Sequence, residues 1–187
     1  MLRIDGHQHF WEYDPVRDTW INDSMQVLQR HFLPADLQPV LQENAITGCI
    51  AVQADQSEAE TFFLLSRAEE HDFILGVVGW TDLCSNQVAE RLAVYSRNPK
   101  MKGFRHILQS EQDRAFMLRQ EFRYGISLLA AYGFSYDMLI HPDQLLFARE
   151  LALLFPQQTF ILDHIAKPDI KRGGNERWEQ DIRALAT

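Results

Sequence analysis

Six short runs of apolar, β-favouring residues alternate with six helical segments along this chain of 187 residues. The predicted strands cover residues 2–10, 47–55, 73–80, 101–108, 135–141 and 159–166. Several runs are continuously apolar, a pattern typical of strands that are covered on both faces of a parallel sheet. Most of them begin about 25–35 residues apart, which is the size of a βα repeat. The alternation predicts a parallel α/β fold, either a barrel or an open doubly wound sheet.

Local signals mark the ends of the predicted helices. Ser57 and Glu60 form a capping-box pair at the start of one helix. Pro99 follows the end of another helix, and Gly133 terminates a third. The predicted helices cover residues 34–45, 57–72, 85–98, 112–133, 142–156 and 175–187. No glycine-rich phosphate loop follows the first strand, where the sequence reads DGHQHF. A dinucleotide-binding fold is therefore disfavoured.

Polar side chains that suit catalysis gather at the ends of the predicted strands, where a βα barrel places its active site. They include five of the seven histidines of the chain. The residues are His7, His9, Arg105, His106, His141, Asp163, His164 and Lys167. Because random scatter would not concentrate histidines in this way, the pattern predicts an active site at this end of the sheet.

His7 and His9 are two residues apart on the first predicted strand. Side chains alternate along a strand, so the two imidazoles point to the same side, about 6–7 Å apart. They are able to share one divalent ion or one substrate. The alternative is that one of them is a packed core histidine, and the later strand-end histidines, His141 and His164, make that alternative weaker.

The other strand-end residues leave alternatives open. On a strand only one of Arg105 and His106 faces the interior; we expect Arg105 to do so and His106 to be structural. An inward arginine suits ligand oxygens, with a buried ion pair as the alternative. We expect Asp163 to point away from His164 and to hold a loop or a helix end. For Lys167 a site role and a solvated surface position are evenly balanced.

The connection between the first strand and the first helix, residues 10–33, is unusually long and is expected to be functional. It contains Trp11 and Trp20, each of which is expected either to line a pocket or to pack in the core. Cys49 and Cys84 match no metal or redox spacing and are expected to be core thiols in a reducing compartment.

Composition narrows the class of protein further. Hydrophobic residues make up 46% and charged residues 24% of the chain, which is ordinary for one globular domain. The formal net charge is -8 and no strong Lys/Arg cluster occurs, so a nucleic-acid partner is disfavoured. No run is apolar for long enough to span a membrane, and no export signal is visible. We therefore expect a cytoplasmic protein without a membrane partner.

Five segments together resemble the amidohydrolase-related family (amidohydrolase 2). They are IDGHQHFW, HFLPADLQPVLQENAITGCIAVQAD, MKGFRHIL, YDMLIHP and FILDHIAKPDI. The chain is most similar to the sugar-acid lactonase branch, the fuconolactonase- and rhamnonolactonase-like enzymes, which are related to the pyrone-dicarboxylate lactonase. The resemblance implies a TIM-type (β/α)₈ barrel that hydrolyses the ring ester of a small-molecule sugar-acid lactone.

The resemblance also implies roles for single residues. In members that use a metal, His7, His9 and His164 would hold one divalent cation, Zn or Mn. In other relatives the histidines polarise the lactone carbonyl without a metal, and both modes stay open here. Arg105 and Lys167 would bind the sugar-acid oxygens, with Trp11 as a further substrate contact. The catalytic histidines would be His164, which polarises the carbonyl with His7 and His9, and His141, which assists proton transfer or binds substrate.

The sequence departs from the family pattern in one respect. A family barrel has eight strands, whereas this sequence predicts about six βα units in one domain, 1–187, which is expected to be incomplete at the C-terminus. The strand-eight aspartate has no counterpart, so we expect little turnover from this chain. Natural truncation, completion by a partner and a remnant all remain open, as does a homo-oligomer that pairs exposed sheet edges. The rivals are another hydrolase or decarboxylase of the superfamily and a non-catalytic fragment.

Overall fold

A computed structural model describes residues 2–173 and 176–186 of the chain. One parallel sheet contains all six of its strands in chain order. They are β1 (Ile4–Gln8), β2 (Gly48–Val52), β3 (Ile74–Gly79), β4 (Met101–His106), β5 (Ser135–Met138) and β6 (Phe160–Leu162). A doubly wound sheet reverses its strand order at a switch point. The unbroken order is that of a barrel wall.

The sheet is strongly curled, as a half-barrel. At about 4.8 Å per strand, the two edges of a flat six-stranded sheet would lie about 24 Å apart. Yet the ring of His7, on β1, lies 4.8 Å from the ring of His164, which follows β6. The carboxyl ends of the first and last strands therefore meet, which agrees with the predicted TIM-barrel type of fold.

Six α-helices in the described residues follow the strands and cover one side of the sheet. They are α1 (Pro34–Glu43), α2 (Glu58–Glu70), α3 (Val88–Tyr95), α4 (Gln120–Leu129), α5 (Leu145–Leu154) and α6 (Glu176–Leu185). The fourth is shorter than predicted because Arg119 is extended, with φ -59° and ψ 144°, and this interrupts the helix. Gly133 adopts φ 70° and closes the segment as expected. Residue 175, where the last predicted helix began, and residue 187 lie outside the described residues.

The hydrophobic core lies between the sheet and the helices. Phe104 of β4 and Tyr136 of β5 are buried in it, in edge-on contact with neighbouring aromatic rings. Because side chains alternate along a strand, Arg105 and Asp137, which pair in register, face the opposite, inner side of the curl. This alternation delivers charged groups to the interior of the half-barrel. None of the helices in the described residues is long and apolar enough to cross a membrane.

Candidate active site

A buried ion pair links β4 to the end of β6 on the inner face of the sheet. Arg105 Nη1 donates to Asp163 Oδ2 at 2.8 Å, and both side chains are almost fully buried. Arg105 Nη2 also donates to the Gln53 carbonyl oxygen. Burying two charges is tolerable only when they are paired and hydrogen-bonded, as they are here.

His7 completes this network from β1. Arg105 Nη1 lies 3.1 Å from His7 Nε2, and His7 Nδ1 lies 3.4 Å from Asp163 Oδ1. Because a guanidinium only donates, the contact requires the lone pair of His7 to be on Nε2. The proton of the neutral ring is then on Nδ1, facing Asp163. The three side chains fix one another's orientation at the mouth of the half-barrel.

These contacts correct the expectation for Asp163. The prediction that it would face away from His164 was wrong, because its carboxylate contacts His7 and Arg105 and is only 3% exposed. Burial alone would raise the pKa of Asp163, but the hydrogen bonds from His7 and Arg105 outweigh it and lower that pKa. Asp163 is therefore an ionised carboxylate inside the site. Arg105 faces inward as predicted, and the buried ion pair that was its alternative is present.

The residues present fit a divalent cation. His7, Asp163 and His164 each offer one ligand atom, and these atoms lie within 4.8 Å of one another. Two imidazoles and one carboxylate, with room for water or substrate, are the donor set of many catalytic zinc and iron sites. The Arg105 contact to His7 Nε2 has to give way if that nitrogen becomes a ligand.

His9, the other predicted ligand, directly follows β1 and lies outside that three-residue set. Its ring is 5.0 Å from the ring of His7, but its Nδ1 is 2.7 Å from the Val52 carbonyl oxygen, to which it donates. Burial and the charge of Arg105 lower the pKa of His9 to about 4, so the ring is neutral at ordinary pH. Its Nε2 carries the lone pair, and the side chain lines the cavity described below.

The chain after β6 makes a left-handed turn, which ends the strand earlier than predicted. His164, Ile165, Ala166 and Lys167 have φ values of 50°, 48°, 59° and 53°. Non-glycine residues in this region cost about 1–2 kcal/mol each, or about 4–8 kcal/mol for the four. Strain of this kind clusters at functional sites. Here it brings His164 beside His7 and Asp163.

A cavity of about 570 Å³ opens beside this cluster. The loop over residues 10–33 supplies an apolar wall to it, and strand ends supply the polar groups. The lining residues used below are His9, Trp11, Trp20, Arg105, His164 and Lys167. Lys167 Nζ donates to Gln109 Oε1 at 2.6 Å, and both residues line the cavity. Lys167 thus lines the cavity and is also exposed to solvent, so both alternatives for it stay open, while Trp11 and Trp20 line the cavity wall.

Two other strand-end histidines lie differently. His106 stacks on Phe116 at 5.1 Å and pairs with Glu111 at 2.7 Å, so it packs toward the helices, as expected of a structural residue. His141 is outside the cavity lining and begins the turn Pro142–Gln144. Burial and the nearby charge of Lys167 lower the pKa of His141. It is a neighbour of the cavity that stays, as predicted, a candidate for catalysis.

Asp137 is a site residue that the sequence reasoning missed. It lies on β5 within an apolar run, is 3% exposed and accepts a hydrogen bond from Ser135 Oγ at 3.3 Å. With His7 and Asp163 it lines a second cavity, of about 330 Å³, inside the half-barrel. Burial, then repulsion from Asp163, raises the pKa of Asp137 to about 7. The signal that could have revealed Asp137 is Arg105, its register partner on the neighbouring strand, which was predicted to face inward.

We expect Asp137→Asn to stabilise the protein at alkaline but not at acidic pH. The folded-state pKa is raised from 3.8 to about 7, so the fold favours the protonated form. That stabilisation is complete below pH 3.8 and is lost as the pH rises toward 7. At pH 8 the variant should exceed wild type by up to about 4 kcal/mol in free energy of unfolding. Urea unfolding at pH 4, 6 and 8 measures this, with Asp72→Asn, at an exposed turn, as the control. A difference independent of pH would contradict it.

Comparison with known proteins agrees with this geometry. Residues 4–187 match the family described as amidohydrolase. The chain is 40% identical to an L-fucono-1,5-lactonase from Burkholderia multivorans, over 99% of this chain and 64% of that protein. It is 32% identical to an L-fucono-1,5-lactonase from Burkholderia ambifaria, again over 99% and 64%. The chain thus spans less than two thirds of the length of these relatives.

Solved structures show the same similarity. A crystal structure of an amidohydrolase from Burkholderia multivorans with bound Zn superposes with a TM-score of 0.95 at 40% identity, covering 100% of this chain and 66% of that one. A 2-pyrone-4,6-dicarboxylic acid hydrolase from Acinetobacter baumannii superposes with a TM-score of 0.72 at 14% identity, covering 99% of this chain and 66% of that one. The second likeness concerns the fold alone.

Proposed function

The chain belongs to the amidohydrolase family, and from that premise we propose that its cavity binds a sugar-acid lactone and opens the ring ester by hydrolysis. The observation that carries the proposal is the meeting of His7, Asp163 and His164 beside a cavity that also contains Lys167. Arg105, His164 and Lys167 supply polar groups to the cavity lining, and Trp11 and Trp20 supply aromatic surface. The similarity to two L-fucono-1,5-lactonases supports this substrate class.

Substrate orientation is the first task of the site. We assign the hydroxyl and carbonyl oxygens of the lactone to the Lys167 ammonium, which donates to Gln109 in the structure. Trp11 provides an apolar surface for the carbon face of the ring. The positive charge of Arg105, held by Asp163, favours an oxygen that becomes negative as the carbonyl is attacked. Arg105 acts through its field and its hold on Asp163. Its Nη atoms donate to His7, Asp163 and the Gln53 carbonyl, whereas its buried Nε has no hydrogen-bond partner among the described residues.

Hydrolysis requires proton transfer at two atoms. Water attacks the carbonyl carbon, the bond to the ring oxygen breaks, and that oxygen receives a proton to give the open hydroxy acid. Burial and the neighbouring His7 lower the pKa of His164, so its ring is neutral and suited to polarise the carbonyl or to hold a cation. No carboxylate lines the cavity among the described residues, so the proton of the attacking water passes to solvent. His141, whose ring is neutral because its pKa is also lowered, is assigned to relay a proton from solvent to the ring oxygen, taking up one proton as it gives up another.

We also propose that the site uses one divalent cation, with Zn favoured because a relative of similar structure binds it. His7, Asp163 and His164 would hold the cation. When bound, it would supply Lewis-acid polarisation of the carbonyl. The carbohydrate-metabolism role and the cytoplasmic location belong to the same proposal. Cys49 and Cys84, both free thiols, support a reducing compartment.

We expect the purified chain to bind L-fucono-1,5-lactone but to open it about 10²–10⁴-fold more slowly than the Burkholderia multivorans lactonase. The reason is that the cavity lining contains no carboxylate among the described residues, and a well-placed general base contributes about that factor. A pH-stat records ring opening above the spontaneous rate, with chelator and with added Zn²⁺. Calorimetry records binding.

Lys167→Met serves as the matched variant in this experiment, because it keeps the length of the side chain and removes the charge. We expect it to weaken lactone binding about tenfold, the effect of losing one charge-assisted hydrogen bond. A wild-type chain that binds no sugar lactone, or that prefers an amide or an aromatic acid, would refute the proposed substrate. Turnover equal to that of the relative would refute the expected slow rate.

A further inference from the structure

The left-handed turn His164–Lys167 carries two groups of the site, yet it contains no glycine. L-residues other than glycine visit this conformation singly, not four in succession. Such a turn persists only where contacts around it over-determine the backbone. The contacts that hold this turn are therefore part of what positions His164 and Lys167.

Contacts inside the turn are few. The backbone N–H of Lys167 donates to the His164 carbonyl oxygen at 2.9 Å, and the Ala166 side chain is fully buried. Ile165, between them, has a side chain that is 50% exposed and so contributes little packing. Its carbonyl oxygen accepts a hydrogen bond from outside the turn.

The group that engages this oxygen comes from the last helix. Trp178 Nε1, on α6, donates to the Ile165 carbonyl oxygen at 2.8 Å. The indole ring is partly buried against the hydrophobic core, which fixes the direction of its N–H. The hydrogen bond therefore ties the middle peptide of the turn to an element that is itself packed in place.

We propose that Trp178 is a positioning residue, whose indole N–H holds the Ile165 carbonyl so that the turn stays left-handed. With the turn in this form, His164 lies beside His7 and Asp163, and Lys167 reaches Gln109. Rotation of the Ile165 peptide would move both side chains together. The roles of His164 and Lys167 rest on the proposed function, but the conformation of the turn does not.

The test begins with Trp178→Phe, which keeps an aromatic ring against the core and removes the donor. Amide hydrogen exchange at Lys167, followed by NMR, reports the closed turn directly. A titration with Zn²⁺ against a competing chelator reports the position of His164. We expect exchange to become about tenfold faster and Zn²⁺ affinity to fall about tenfold, the scale of one hydrogen bond. Thermal unfolding checks that the variant is folded.

A second substitution separates positioning from mere packing. Glycine adopts positive φ without the steric penalty of other residues, so Ile165→Gly relieves part of the strain that Trp178 opposes. We expect the double variant W178F/I165G to recover the amide protection and the Zn²⁺ affinity of wild type. The matched control is W178F/I170G, which changes an isoleucine that is 75% exposed outside the turn, and it should recover neither.

The proposal is overturned if W178F leaves the exchange at Lys167 unchanged. It is equally overturned if I165G fails to restore what W178F loses, because Trp178 would then act only through the docking of α6. If wild type binds no Zn²⁺, the metal part of the proposed function fails instead. The exchange measurement still decides the role of Trp178 in that case.

Discussion

Replacing Asp163 with asparagine will lower the free energy of unfolding by about 3–5 kcal/mol, because it leaves the buried Arg105 charge without its counter-ion. The side chains of the pair are only 3% and 1% exposed, and their atoms are 2.8 Å apart. Asparagine keeps the shape of the side chain but not its charge. Urea unfolding at neutral pH measures this loss of stability. NMR of the same samples follows the protonation of Asp137, which pairs in register with Arg105.

The control for this prediction is an ion pair of the same length on the surface. Arg114 and Asp143 are also 2.8 Å apart, but the Asp143 side chain is 60% exposed. Asp143→Asn should therefore change stability by about 1 kcal/mol or less. A double variant, R105M/D163L, should recover most of the stability lost in D163N, since apolar pairs often replace buried ion pairs without loss. A large loss in the double variant would contradict this interpretation of the pair.

Much of the fold could be predicted because the physics is local. Continuous apolar runs specify buried parallel strands, and the six runs became β1 to β6 in chain order. Proline, glycine and capping residues ended most helices within a few residues of their predicted ends. The choice between a barrel and a doubly wound sheet could not be predicted from these signals, because it depends on which strands pair.

The site was predictable where strand alternation applies and unpredictable where it fails. His7 and Arg105 lie inside β1 and β4, and both face the interior, although the pairing of β1 with β2 shifts register between Asp5 and Gln8. For Asp163 the same rule gave the wrong side, because β6 ends at Leu162 and the following residues turn left-handed, which brings Asp163 and His164 together in the site. No glycine announces that turn, and the hydrogen bond that holds it comes from Trp178, in a separate helix.

Asp137 was missed for a different reason. When a carboxylate lies inside an apolar run, the neighbouring residues do not indicate which face of the sheet it occupies. Its register partner Arg105, on the neighbouring strand, supplies that signal only when the pairing of β4 and β5 is known. Burial then raises its pKa, which is a property of the assembled half-barrel and not of the sequence around it.

We expect His164→Ala to weaken Zn²⁺ binding by at least about 100-fold, because it removes one of the three ligands that lie within 4.8 Å of one another. Changes to groups that only support metal ligands cost about 10–100-fold, so loss of a ligand should cost more. Competition with a chromogenic chelator measures the affinity. His71→Ala is the control, since that ring packs near Phe73 just before β3 begins, at the opposite end of the strands.

His9 turns the same titration into a test of which histidines bind the cation. Its Nδ1 donates to the Val52 carbonyl, and the side-chain amide of asparagine is able to replace that donor. If the cation is held by His7, Asp163 and His164, His9→Asn should weaken Zn²⁺ binding less than tenfold. If instead His7 and His9 bind it with His164, as the family resemblance implied, the losses in H9N and H164A should be equal. The structure predicts a larger loss in H164A than in H9N. The reason is that Asp163, and not His9, offers the third ligand atom within 4.8 Å of those of His7 and His164.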